Sequence, residues 1–238
     1  MTLAFRKGRY GVRLASGPDD VAACQALRHL CFFGLPGRDA DAFDTACRHV
    51  MIAGAAGLVA TCRLMPLASG AEISRSYAAQ HYDLTRLSRD PAPMLEIGRL
   101  CVAPTVQDPD VLRLMWAAVT RVVDAEAAGL LFGCASFRGI DPAPYRNGFA
   151  LLAARHLAPP ALAPARRAAQ IVPLGPPALV PGAQASLPPL LRSYLGMGGW
   201  VSDHAVVDAQ MNTLHVFTGV SVAAIPPARA RALRAMAG

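Results

Sequence analysis

The stretch Met94-Leu95-Glu96-Ile97-Gly98-Arg99-Leu100-Cys101-Val102-Ala103-Pro104 decides how this chain folds. Its run of Leu, Ile, Cys and Val reads as a strand, and Ala103-Pro104 closes it. Two charges interrupt that strand, Glu96 and Arg99. Glutamate is scarce throughout, with only Glu72, Glu96 and Glu126 present. Burying an unpaired ion costs on the order of several kcal/mol. The two charges therefore border a cleft or neutralise other charges in a structural network. In a regular strand, residues three apart point to opposite faces. Glu96 and Arg99 can serve one site only if the strand bulges between them, and Gly98 suits a bulge.

Upstream, Gly11 to Ala15 reads as a strand, and Ser16-Gly17-Pro18-Asp19-Asp20 supplies a helix start. Apolar residues Val21, Cys24, Leu27, Leu30 and Cys31 then recur at helical spacing, with Arg28 and Phe32 four apart on one face. Arg48 to Ala53 and Leu58 to Met65 read as antiparallel strands around Gly54-Ala55-Ala56-Gly57, and Arg63 interrupts the second. Tyr77 to Leu84 is a further candidate strand. Downstream, Asp108-Pro109-Asp110 caps a helix that runs to about Ala127, with Val111, Leu114, Met115, Ala118 and Val122 on one side. Leu130 to Ser136 is a continuous apolar strand of the kind found inside a covered sheet. The second half is harder to read. Helices are expected over 142–156, 187–195 and 227–236, and strands over 168–172 and 213–222. The pattern predicts an α/β fold with a mixed sheet and flanking helices. One domain over 1–238 is expected, with the proline-rich stretch 173–189 as an ordered loop inside it.

The chain has 238 residues, 53% of them hydrophobic, which suits a folded globular protein. Its net charge of +7 comes almost entirely from arginine, Lys7 being the only lysine. That charge suits an acidic partner, such as nucleic acid, an anionic membrane or an acidic carrier protein, without choosing among them. The tyrosines and arginines do not interleave as on a nucleic-acid surface, so none is expected to bind. The six cysteines are scattered and include no C-x-x-C pair, which points to free thiols in a reducing cytoplasm and to no metal. No signal peptide is visible at the start, and the long uncharged stretch from Ala168 to Leu191 is broken by six prolines. A soluble, cytoplasmic protein is expected. Arg229, Arg231 and Arg234 beside Leu233 and Met236 leave room for peripheral contact with the inner membrane. There is no G-x-S-x-G elbow, Walker loop, G-x-G-x-x-G turn or H-E-x-x-H helix. His204 and Asp208 lie four apart and would meet on a helix; the plainer reading is a surface loop.

In order along the chain, Arg28-x-x-x-Phe32, Asp41-x-x-Asp44, Arg63 and Glu96-x-x-Arg99 resemble the signature of acyl-homoserine-lactone synthases, which have the GNAT fold. The tryptophan that usually follows their Arg/Phe pair is replaced here by Phe33-Gly34-Leu35-Pro36. A closer resemblance, covering nearly the whole chain, is to the L-ornithine N-acyltransferases of ornithine lipid biosynthesis. It rests on Met94 to Pro104, on Phe132-Gly133-Cys134-Ala135-Ser136-Phe137, on Leu187 to Leu195 and on Gly199 to Asp208. Autoinducer synthases lack the C-terminal part.

The resemblance implies a GNAT fold and transfer of a 3-hydroxyacyl group from acyl carrier protein to the α-amine of L-ornithine, giving lyso-ornithine lipid. No cofactor is implied beyond the carrier's phosphopantetheine arm. Glu96 is then the expected base for the substrate ammonium, directly or through water. A bulged strand would offer backbone N–H groups to the thioester oxygen. Arg99 binds the substrate carboxylate or positions the pantetheine arm. Asp41 and Asp44 hold the cationic end of ornithine or pair with Arg28 and Arg63; both alternatives stay open. Phe32, Leu100, Cys101 and Val102 complete the expected substrate wall, with Cys101 as packing, since a thioester needs no covalent enzyme intermediate. Pro104-Thr105-Val106-Gln107-Asp108-Pro109 replaces the usual glycine-rich loop, which favours carrier protein over coenzyme A as donor. The alternatives are an autoinducer synthase using S-adenosylmethionine and a GNAT-like shell that binds carrier protein without turnover.

Overall fold

The computed structural model describes residues 3–237. In chain order the elements are β1 (Ala4–Lys7), β2 (Tyr10–Leu14), α1 (Pro18–Phe33), β3 (Arg48–Gly54), β4 (Gly57–Leu67), β5 (Tyr82–Asp83) and β6 (Met94–Val102). There follow α2 (Pro109–Ala125), β7 (Leu130–Arg138), α3 (Arg146–Arg155), β8 (Ala165–Arg166), β9 (Ile171–Pro173), α4 (Pro189–Leu195), β10 (Trp200–Asp208), β11 (Thr213–Ser221) and α5 (Pro227–Ala237). The mixture of strands and helices is the α/β class expected. The chain forms two compact units, each discontinuous in sequence: one from residues up to 66, 95–128 and 227 onward, the other from 67–94 and 129–226. The proline-rich stretch lies inside the second unit.

In the first unit the strands run in the order β1-β2-β3-β4-β6. The β3–β4 hairpin pairs Gly54 with Gly57 around Ala55-Ala56, and the turn needs Gly57 at φ 105°. Val50, Ile52, Ala60, Cys62 and Leu64 are fully or almost fully buried in these two strands. Helix α2 begins where the sequence placed its cap: Pro109 holds the first position, and the Asp108 carboxylate accepts from the Asp110 N–H at 3.0 Å. All five of its expected core residues are buried. Helix α5 packs on α2, burying Leu233 and pairing Arg234 with Asp124 at 2.8 Å. Leu233 is thus packed inside the protein, while the Arg234 side chain stays exposed beside Asp124.

Helix α1 departs from its expected face. Leu30 is exposed, while Gln25 and Arg28 are buried beside Cys24 and Leu27. Polar side chains occupy the inner stripe because carboxylates wait there to receive them.

In the second unit β7, β11, β10 and β9 form an antiparallel run, and β5 pairs with β8. Phe137, Phe149, Leu152, Leu174, Leu191, Val201 and Val216 belong to its core. The segment 77–84 contributes only the two-residue β5 after a short 3-10 turn, less than the strand expected. His204 and Asp208 lie on strand β10, on neither a helix nor a loop, and His204 is fully buried. Among the described residues no helix is long and apolar enough to cross a membrane.

Candidate active site

Asp44 is the anchor of a buried charge network in the first unit. It opens a 3-10 turn (Asp44–Ala46) just before β3, which brings its carboxylate under α1. Arg28 grips that carboxylate with both terminal nitrogens, at 2.9 Å to Oδ1 and 3.0 Å to Oδ2. This fork-to-fork geometry is the strongest an arginine can make. Gln25 donates to Oδ2 at 2.8 Å and Arg63, from β4, to Oδ1 at 3.0 Å. Burial alone would raise the Asp44 pKa, but the hydrogen bonds from Arg28, Gln25 and Arg63 outweigh it and hold the carboxyl well below the usual carboxylate range. His49, opposite Arg63 across β3 and β4, bonds the Asp44 carbonyl at 3.1 Å. Burial lowers the pKa of this histidine, so it stays neutral, donating through Nε2.

A second layer surrounds that anchor. Arg63 also pairs with Asp41, and its guanidinium lies 5.5 Å from the Phe43 ring centre. One Asp39 oxygen lies 2.8 Å from Nε of Arg28 as an ion pair and accepts from Nε of Arg99 at 3.1 Å, and Arg99 reaches Asp41 at 3.6 Å. Three arginines and three aspartates thus neutralise one another. Arg28, Asp44 and Arg63 are nearly inaccessible and pair with one another inside the protein. Exposure rises toward the rim, with side-chain values of 14% for Arg99 and 25% for Asp41.

Strand β6 brings the remaining expected residues. Glu96 is buried, and its charge is felt at the Cys47 thiol, which burial pushes up to about 12, against Arg63 and with help from Glu96, Asp44 and Asp41. Glu96 therefore belongs to the same electrostatic neighbourhood as the network. The irregularity of β6 falls at Arg99, whose φ is 50°, and not at Gly98, which keeps a negative φ. A left-handed residue of this kind breaks the regular alternation of faces along the strand. Leu100 and Val102 are half-buried. Cys101 is buried, and its contact with Cys31 and its burial hold its pKa well above the ordinary value, so it stays a thiol. Cys31 donates to the Val102 carbonyl at 3.4 Å. Phe32 sits half-buried near the end of α1.

Asp39, Gln25 and His49 were not anticipated. Asp39 stands in Gly37-Arg38-Asp39-Ala40-Asp41, where alternate acids were the available signal.

Residues 30–117 match the family model of the acetyltransferase (GNAT) domain. An L-ornithine N(alpha)-acyltransferase of Rhodobacter capsulatus is 33% identical over 227 residues, covering 87% of this chain and 88% of that protein. The enzyme of the same name from Brucella abortus is 32% identical over 238 residues, covering 89% and 84%. Among solved structures, an N-acyl amino acid synthase from uncultured soil microbes aligns over 96% of this chain at 13% identity, with a TM-score of 0.48. This chain is an acyltransferase and belongs to the L-ornithine N(alpha)-acyltransferase family.

Proposed function

We propose that this enzyme moves a 3-hydroxyacyl group from the phosphopantetheine thiol of acyl carrier protein to the α-amine of L-ornithine, forming lyso-ornithine lipid. The observation that carries the reading is Glu96, a buried carboxylate in an apolar strand whose charge reaches the same Cys47 thiol as Arg63, Asp44 and Asp41 of the arginine–aspartate network. An amino acid's ammonium must lose a proton before it can attack. Glu96 takes that proton, directly or through one water, and the freed amine adds to the thioester carbonyl. In this reading the backbone N–H groups around the Arg99 kink receive the developing oxyanion. The carbon–sulfur bond then breaks, the tetrahedral nitrogen gives up its second proton, the leaving pantetheine thiolate takes up a proton in balance, and the amide remains. Of the network, the rim residues are the ones a substrate can reach: Arg99 for the ornithine carboxylate, Asp41 for its side-chain ammonium. Arg28, Asp44 and Arg63 hold the rim in place. No cofactor other than the carrier's own arm enters these steps.

The decisive assay supplies purified enzyme with 3-hydroxyacyl carrier protein and either ornithine or S-adenosylmethionine. N-acylated ornithine is expected, and Glu96→Gln should lower its rate by about 100-fold or more while the protein stays folded. Acyl-homoserine lactone as product, or carrier binding without turnover, would overturn the proposal.

A further inference from the structure

The second unit brings His81, Asp208 and His215 together, residues that the acyl-transfer chemistry does not use. One ligand atom from each lies within 4.8 Å of the other two. Hairpin register explains two of the three. Val206 stands opposite His215 and Asp208 opposite Thr213, so Asp208 and His215 are diagonal neighbours on one face of β10–β11. His81 arrives from the turn before β5, with its carbonyl fixed by the Ala168 N–H at 3.0 Å. Its ring centre is 4.9 Å from that of His215, with the planes 76° apart. Two imidazoles meeting edge to face can both aim a nitrogen at one point.

The surroundings set the chemistry. The Tyr82 hydroxyl spends its single proton on the His215 carbonyl at 2.8 Å, so toward Nδ1 of His215, at 3.2 Å, it offers only a lone pair. That contact places the His215 proton on Nδ1 and makes Nε2 the basic nitrogen, the arrangement found behind metal-bound histidines. Asp208 is steadied in turn by the Met211 N–H at 3.0 Å to Oδ1 and by the Tyr77 hydroxyl at 3.4 Å to Oδ2. Each carboxylate oxygen keeps a further lone pair.

We propose that His81, Asp208 and His215 form a binding site for a divalent transition cation of the zinc class, clipping the turn before β5 to the β10–β11 hairpin. Two nitrogens and one oxygen select such an ion over magnesium or calcium, which prefer oxygen alone. Bonds of about 2.0–2.2 Å require ligand atoms roughly 3–3.5 Å apart, so binding draws the three side chains slightly inward. The sequence did not suggest the site because His81 lies far along the chain from the hairpin that carries Asp208 and His215, and those two are spaced as in no metal motif.

The test uses the full chain, stripped with a chelator and titrated with zinc sulfate, reading stoichiometry by elemental analysis and stability by thermal melting. About one zinc per chain and a raised melting temperature are expected. His81→Ala and Asp208→Asn should each weaken zinc binding by at least about 100-fold, the upper end of the loss seen when only a residue supporting a metal ligand is removed, with metal-free melting close to that of the stripped parent. Cobalt substituted for zinc should give a spectrum without thiolate charge transfer. Absence of stoichiometric zinc binding would overturn the proposal. So would zinc that survives both substitutions, or a cobalt spectrum showing that cysteines hold the ion.

Discussion

Asp44 receives hydrogen bonds from three side chains in a place where no water can replace them. Removing its charge leaves Arg28 with Asp39 alone and Arg63 with Asp41 alone, and breaking a buried pair from one side costs about 3–5 kcal/mol. Asp44→Asn should lose that much in denaturant unfolding; a loss under 1 kcal/mol would deny the network its anchoring role. His49 and Asp44 also fix the acid behaviour of the fold. His49 is held neutral by burial, so the unfolded chain takes up a proton near pH 6.5 that the folded chain refuses until lower pH. Stability from this residue is complete above about pH 6.5 and is lost as pH falls below it. Asp44, with its pKa lowered, contributes stability that is complete above about pH 4 and is lost only as pH falls further. In melting curves taken between pH 7 and 5, His49→Gln should flatten the decline without abolishing it, because burial likewise lowers the pKa of His156. An unchanged slope would contradict this assignment. At this scale the sequence was informative where a charge interrupted an apolar strand, as at Arg63, Glu96 and Arg99. Asp39 escaped notice because an acid in a polar loop is ordinary, and only its partners give it a role.

Strand β6 gathers the features on which the site depends. Its Arg99 adopts a left-handed conformation that a non-glycine residue occupies at a cost of about 1–2 kcal/mol. The ion pairs with Asp39 and Asp41 keep it there. Two substitutions separate backbone strain from charge, since both remove the pairs and only one removes the strain. Arg99→Gly should be more stable than Arg99→Ala by about 1 kcal/mol; equal stabilities would show that the kink carries no strain. The need for an irregularity was legible in the spacing of Glu96 and Arg99. Its exact position was not, because glycine is the obvious residue for a kink and the charge partners that hold Arg99 come from another segment. Helix α1 teaches the same lesson. Its 3.6-residue period was readable, but Leu30 faces outward and Arg28 inward because of carboxylates supplied by the loop that follows.

Across the whole molecule, the first unit was largely readable from sequence, since its strands are apolar runs bounded by glycine and proline. The second was less so. Strand β10 carries Ser202, Asp203 and His204 in its interior and does not look like a strand until its partners β9 and β11 are in place. The net charge of +7 acts at this scale too. Docking of an acidic carrier protein on an arginine-rich surface should weaken markedly between 0.05 and about 0.5 M salt, as the screening length shortens. Affinity that ignores salt would remove the arginines from that interface. The central claim is amide formation on ornithine with Glu96 as base, and it is tested most directly in cells that make no ornithine lipid. Mass spectrometry of their lipids should show 3-hydroxyacyl-ornithine when this chain is expressed and almost none with Glu96→Gln at equal protein level. Lipid profiles without acylated ornithine from the parent chain, or identical for both, would contradict the account.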